Sequence, residues 1–158
     1  MNVQEAVKRV EIAAKRPRAD VRDGSKVAVG KVTRQGDVYL MRTDRAPTRG
    51  DEIALSVGVI GRQIVPGTTP GSRHVVVGDA VAHRAADVGA VTTQIAAHAK
   101  QHGCKASVRE EMLYGAIEVG PSGASLTHPE HAHVRLPPDS CWIAWSQYDE
   151  STQRRVAD

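Results

Sequence analysis

The period of the hydrophobic pattern changes along the chain, and each change marks an element. Val3, Val7, Val10 and Ala14 recur at helical spacing, while Lys8, Glu11 and Lys15 fall off that stripe. Asn2 with Glu5 three residues later forms a weak capping box, and Pro17 stops the helix before a polar connector over 18–24. From 26 onward the runs shorten and become rich in β-branched residues. Segments 26–32, 37–43, 52–56, 59–65 and 73–77 are bounded by Gly, Asp or Pro and predict strands. Residues 33–37 read as a hairpin turn between the first two, in which Gly36 permits the turn and Arg34 can pair with Asp37, and Pro66, Gly67, Pro70 and Gly71 as a stiff loop before the last.

Helical spacing returns once. Val88, Val91, Ile95 and Ala99 make a buried stripe, with Asp87 as N-cap and Gly103 as C-terminal stop, although Gly89 weakens the first turn. Strands resume at 114–119, a turn is expected at 120–123, and further strands at 124–127, 133–136 and 141–146. In the last run Cys141, Ile143 and Trp145 alternate with Trp142, Ala144 and Ser146, which places one tryptophan on each face. Together these elements predict a mainly β fold, a small antiparallel barrel or sandwich with an N-terminal helix and one inserted helix. The class would become α+β if the helices packed as a layer. Residues 1–24 form the N-terminal helix and basic connector. Residues 25–158 form a single β-rich domain with a helical insertion at about 87–103.

The densest chemistry lies at 126–138, where His128, His131 and His133 surround Glu130 ahead of Pro137 and Pro138. Neutral imidazoles converging on one point hold Zn, Fe or Mn, and a nearby carboxylate such as Glu130 can complete the set. The bland alternatives are a hydrogen-bonded structural cluster, or proton transfer without metal. His133 alternates out of phase with His131 and is expected to point elsewhere. His98 and His102 stand one helical turn apart, but basic groups near a helix C-terminus are favoured by the dipole alone.

Composition narrows the field. Across 158 residues, 21 basic and 18 acidic side chains leave a net charge of +3, too balanced to argue nucleic-acid binding by itself. Lys15, Arg16, Arg18 and Arg22 are the best basic patch, but Asp20 and Asp23 dilute it and no aromatic residue interleaves. Cys104 and Cys141 make no disulfide framework, so a reduced, cytoplasmic chain is the default expectation. No signal peptide or membrane span is expected from the hydropathy. No nucleophile elbow, Walker loop or dinucleotide fingerprint occurs.

Several segments resemble a group of small bacterial proteins with no known activity. The resemblance is carried by Arg34-Gln35-Gly36-Asp37-Val38, Gly71-Ser72-Arg73-His74, His128-Pro129-Glu130-His131-Ala132 with Leu136-Pro137-Pro138, and Arg155-Val156-Ala157-Asp158. Tyr114-Gly115-Ala116 and Gln147-Tyr148-Asp149 are also similar to some members. It covers about two-thirds of the chain, leaving out both helices. The resemblance implies that His74 approaches His128 and His131 as a third metal ligand. The group's other loop histidine is Ser72 here, so a four-histidine site would lose a ligand.

The function expected from the sequence is a binding or assembly domain with a His-lined loop site able to hold a metal, open to self-association, with no catalysis assigned. The alternatives are a cupin-like metal enzyme using His74, His128 and His131, with Glu130 or Arg34 acting on substrate, and a nucleic-acid-associated protein using the N-terminal basic segment.

Overall fold

The computed structural model describes residues 21–55, 61–65, 74–101, 103, 108–146, 148–149 and 154–155. The expected N-terminal helix, Lys15 to Arg18, Ser72, His102 and Cys104 lie outside the described residues.

The strands are β1 (Arg22–Asp23), β2 (Val32–Gln35), β3 (Val38–Thr43), β4 (Arg49–Glu52), β5 (Arg62–Gln63), β6 (Val75–Ala85), β7 (Leu113–Thr127), β8 (Val134–Leu136) and β9 (Cys141–Ser146). The short strands β10 (Tyr148–Asp149) and β11 (Arg154–Arg155) form a separate ribbon, and the helix α1 (Val88–Gln101) joins β6 to β7. The main sheet runs β1-β8-β7-β9-β3-β2, with β6 on the other side of β7 and carrying β4 and β5. All pairs are antiparallel except β1 with β8. The long strands β6 and β7 shift register at Gly78/Ala80 and at Leu113/Gly115. Such bulges bend and twist a sheet, and this one curls into a half-barrel: the fold is mainly β and barrel-like.

Alternation divides the core in two. Val38, Leu40, Leu126, Val134, Trp142 and Ala144 fill the concave interior. Met41, Ile143 and Trp145 face the other way and pack under Val91, Ile95 and Ala99 of α1. The two tryptophans therefore do occupy opposite faces. The expected stripe of α1 docks the helix, the Asp87 carboxylate caps it through the Ala90 amide at 3.0 Å, and Gly103 ends it with φ 68°. Among the described residues no helix is long and apolar enough to cross a membrane.

Several expected boundaries move, each for a backbone reason. Segment 26–32 is not a strand. Asp23 accepts from the Ser25 amide and hydroxyl and caps a 3-10 turn over Gly24–Lys26, so β2 begins only at Val32. The connector is not wholly outside the sheet, since Arg22 and Asp23 pair with Val134 and Arg135. The strand expected at 52–56 lies earlier, at Arg49–Glu52, where it finds Ala85 and His83 as partners. No turn forms at 120–123. The Asp79 carboxylate takes the Ser122 amide at 3.0 Å, and β7 continues through the glycines as one bent strand of 15 residues.

Candidate functional site

The site is built where three chain segments meet at one end of the half-barrel. The β2–β3 hairpin has a two-residue turn, Gly36-Asp37, with Gly36 at φ 56°. That is the first turn position, where a II′ hairpin takes glycine. Val75 pairs with Thr127, so one step further His74 and His128 stand opposite each other at the open ends of β6 and β7. The loop leading to β8 then carries Glu130 and His131.

The three rings pack in a row, each tilted against the next. His74 and His128 have centroids 4.5 Å apart, and His128 and His131 4.3 Å apart. His74 and His128 are 1% and 2% exposed, so every polar atom on them must be accounted for. Gln35 does most of this accounting. Its Nε2 donates to the Leu126 and Ala132 carbonyls at 2.8 Å each, which fixes Oε1 as the acceptor facing His74 Nδ1 at 2.9 Å. His74 Nδ1 therefore carries a hydrogen. Its Nε2 lies 3.2 Å from Asp37 Oδ1. Two lone pairs would repel there, so the pair shares one proton, as imidazolium and carboxylate or as imidazole and carboxylic acid. Asp37 thus pairs with His74, not with Arg34 as its neighbourhood in sequence implied. Arg34 instead donates from Nε to the Gly36 carbonyl at 2.7 Å and lies over the Tyr39 ring.

His128 is fixed the other way round. Its Nδ1 accepts from the Glu130 and His131 amides at 3.0 and 3.1 Å, so its ring hydrogen is on Nε2. It works as a turn-capping acceptor inside the loop. The structure therefore brings together all three expected ligands but does not offer three lone pairs to one ion. His128 would have to give up its Nε2 proton and become an imidazolate to ligate there. Among the described residues no group of three His, Cys, Asp or Glu is arranged to hold a metal ion. The donor set does not fit a three-histidine metal centre.

His131 is half-buried and forms one wall of a cavity of about 390 Å³, shared with Arg22, Arg34, Gln35, Gly36 and Glu130. Arg22 donates to the Arg34 carbonyl at 2.7 Å, which ties β1 to the edge of β2. Glu130 is exposed. Of the basic patch expected over 15–22, only Arg22 is described, and it belongs to this wall.

His133 points away from His131, as expected, but the cause is the bend over 129–131, since residues two apart on a strand share a face. It is buried, which holds its imidazole below the ordinary histidine range despite a hydrogen bond with the His128 backbone. His98, which the sequence paired with His102, lies 3.6 Å from Asp44.

Sequence reasoning missed a second buried set. His83, wholly buried, has Nε2 3.0 Å from Glu118 Oε2, and the same oxygen takes Arg49 Nε at 2.7 Å. Arg49 holds the Glu118 carboxyl below its ordinary range against a smaller opposing effect of burial, and His83 adds a lesser share. The strand expected at 73–77 ended six residues short of His83, so its burial was not visible. Cys141 pairs with Glu118 across β7 and β9. Burial, and then the Glu118 charge, push its thiol up, so it is no activated nucleophile.

Comparison with protein-family models, with curated proteins and with solved structures finds no match.

Proposed function

We propose that the chain is a binding domain whose His-lined loop site takes a small oxyanion, a phosphate or carboxylate group, in the cavity between Arg22, Arg34 and His131. The observation that carries this reading is the pair of anchored guanidiniums. Each spends one nitrogen on a carbonyl, at 2.7 Å in both cases, and both line the same cavity beside a half-buried imidazole. A guanidinium held by one nitrogen keeps its plane and its other donors set, which lowers the ordering cost of binding and suits bidentate recognition of an oxyanion. The wall carries two arginines against one carboxylate, Glu130, so its field favours an anion. The buried row of rings behind it supports this role. Gln35, His74 and Asp37 hold the turn that supplies Gly36, and His128 holds the loop that supplies His131.

Titration calorimetry with inorganic phosphate tests the reading. Arg34→Gln removes a charge-assisted donor worth about 1.5–3 kcal/mol and is expected to weaken phosphate roughly tenfold or more. Equal affinity in the variant, or no saturable heat in the parent protein at low salt, contradicts the proposal.

A further inference from the structure

The outer face of β6, β7 and β8 carries a second cavity that shares no residue with the first. Val77, Ser125 and Arg135 stand in register across the three strands, so their side chains share a face. His133, two residues before Arg135, belongs to the same face. Val76, Leu126 and Val134 point the other way into the interior. A cavity of about 520 Å³ lies here, apolar along Val77, Pro137 and Pro138 and polar at Ser125, His133 and Arg135.

His133 is the informative member. It is 7% exposed, and its Nε2 is buried with no hydrogen-bond partner among the described residues. The His128 backbone takes up a hydrogen bond from this ring. With Nε2 unpartnered, that bond belongs to Nδ1–H. In the neutral ring Nε2 is then a bare acceptor that only a donor can satisfy. Arg135, by contrast, is exposed and cationic. Residues i and i+2 on a strand are separated by about 6.6 Å, a backbone spacing that a six-membered ring with a polar substituent at each end can bridge.

We propose that this cavity binds a small organic acid that also carries a hydroxyl, its O–H donating to His133 Nε2, its carboxylate on Arg135 and its carbon frame against Val77 and Pro138. The probes are 4-hydroxybenzoate, benzoate and phenol, followed in amide spectra of the full chain. Saturable shifts at Ser125 and Arg135 are expected, with 4-hydroxybenzoate at least roughly tenfold tighter than either fragment. Arg135→Gln, an exposed change that leaves the core untouched, should bring it down to the affinity of phenol, and His133→Phe to that of benzoate. Arg34→Gln should leave this binding intact, which separates it from the oxyanion site. Absence of saturable shifts at Ser125 and Arg135, or unchanged affinity in Arg135→Gln, overturns the proposal. If His133→Phe does not fold, the ligand series and Arg135→Gln decide alone.

Discussion

Gln35 is the residue on which the loop end depends. One buried amide satisfies His74 Nδ1 and the carbonyls of Leu126 and Ala132, three groups from separate segments. Gln35→Leu keeps the volume and strands all three. With a buried unsatisfied group costing about 1–3 kcal/mol, and water reaching some of them after relaxation, the expected loss is about 3 kcal/mol in urea unfolding. A loss below about 1 kcal/mol would mean that the amide is replaceable. The sequence offered only part of this. The four-residue pattern Arg34 to Asp37 marked the turn and directed attention to its charges, and Asp37 looked like a partner for Arg34. What decides the pairing is the side on which each residue leaves the hairpin. Asp37 turns to the buried His74 and Arg34 stays outside, a distinction that only the register of β2 with β3 creates. His128 shows the same limit. Its spacing to His131 has the form of a ligand pair, but the chain bends at 129–131 and the nearer amides of Glu130 and His131 claim its lone pair first.

Between elements, the same chemistry recurs on the helix-covered face. Arg49 from β4, His83 from β6 and Glu118 from β7 meet in one ion-pair set that ties an edge strand to the sheet. Because the folded Glu118 carboxyl sits below its unfolded value, the stability it contributes is fully present above about pH 4.5 and is lost as pH falls through the folded value. Arg49→Gln removes the largest cause of that shift. The variant should be less stable near neutrality, and its loss between about pH 6 and pH 3.5 should be smaller than that of the parent chain. Urea midpoints at both pH values check this, and an acid-side loss as large as the parent's would contradict it. Elements of this kind were legible where a periodic run was long. The helix α1 and strands β3 and β9 stand close to where alternation and capping put them. Short edge strands and the bent β7 were not. Their boundaries are set by which neighbour offers free backbone groups, as Arg22–Asp23 against Val134–Arg135 shows, and by side chains such as Asp79 that satisfy a bend without ending a strand.

For the molecule as a whole, curling one sheet creates two different surfaces at the His-rich segment. The bend over 129–131 leaves His131 in the cavity of Arg22 and Arg34, and His133, beyond it, on the outer face with Arg135. One six-residue stretch thereby lines two cavities, while His128 at its start is spent on holding the loop. A segment that reads as a single metal cluster is divided by the bend over 129–131 and by its own backbone amides. The central claim is that this end of the half-barrel is a preorganised oxyanion site supported by a row of histidines held by Gln35, Asp37 and the loop amides. It is tested most directly by histidine ring spectra of nitrogen-labelled protein during titration with inorganic phosphate. The account predicts that His128 remains protonated on Nε2 throughout, while the His131 signals shift saturably. A His131 that does not respond to phosphate, or a His128 that carries its hydrogen on Nδ1, would contradict it.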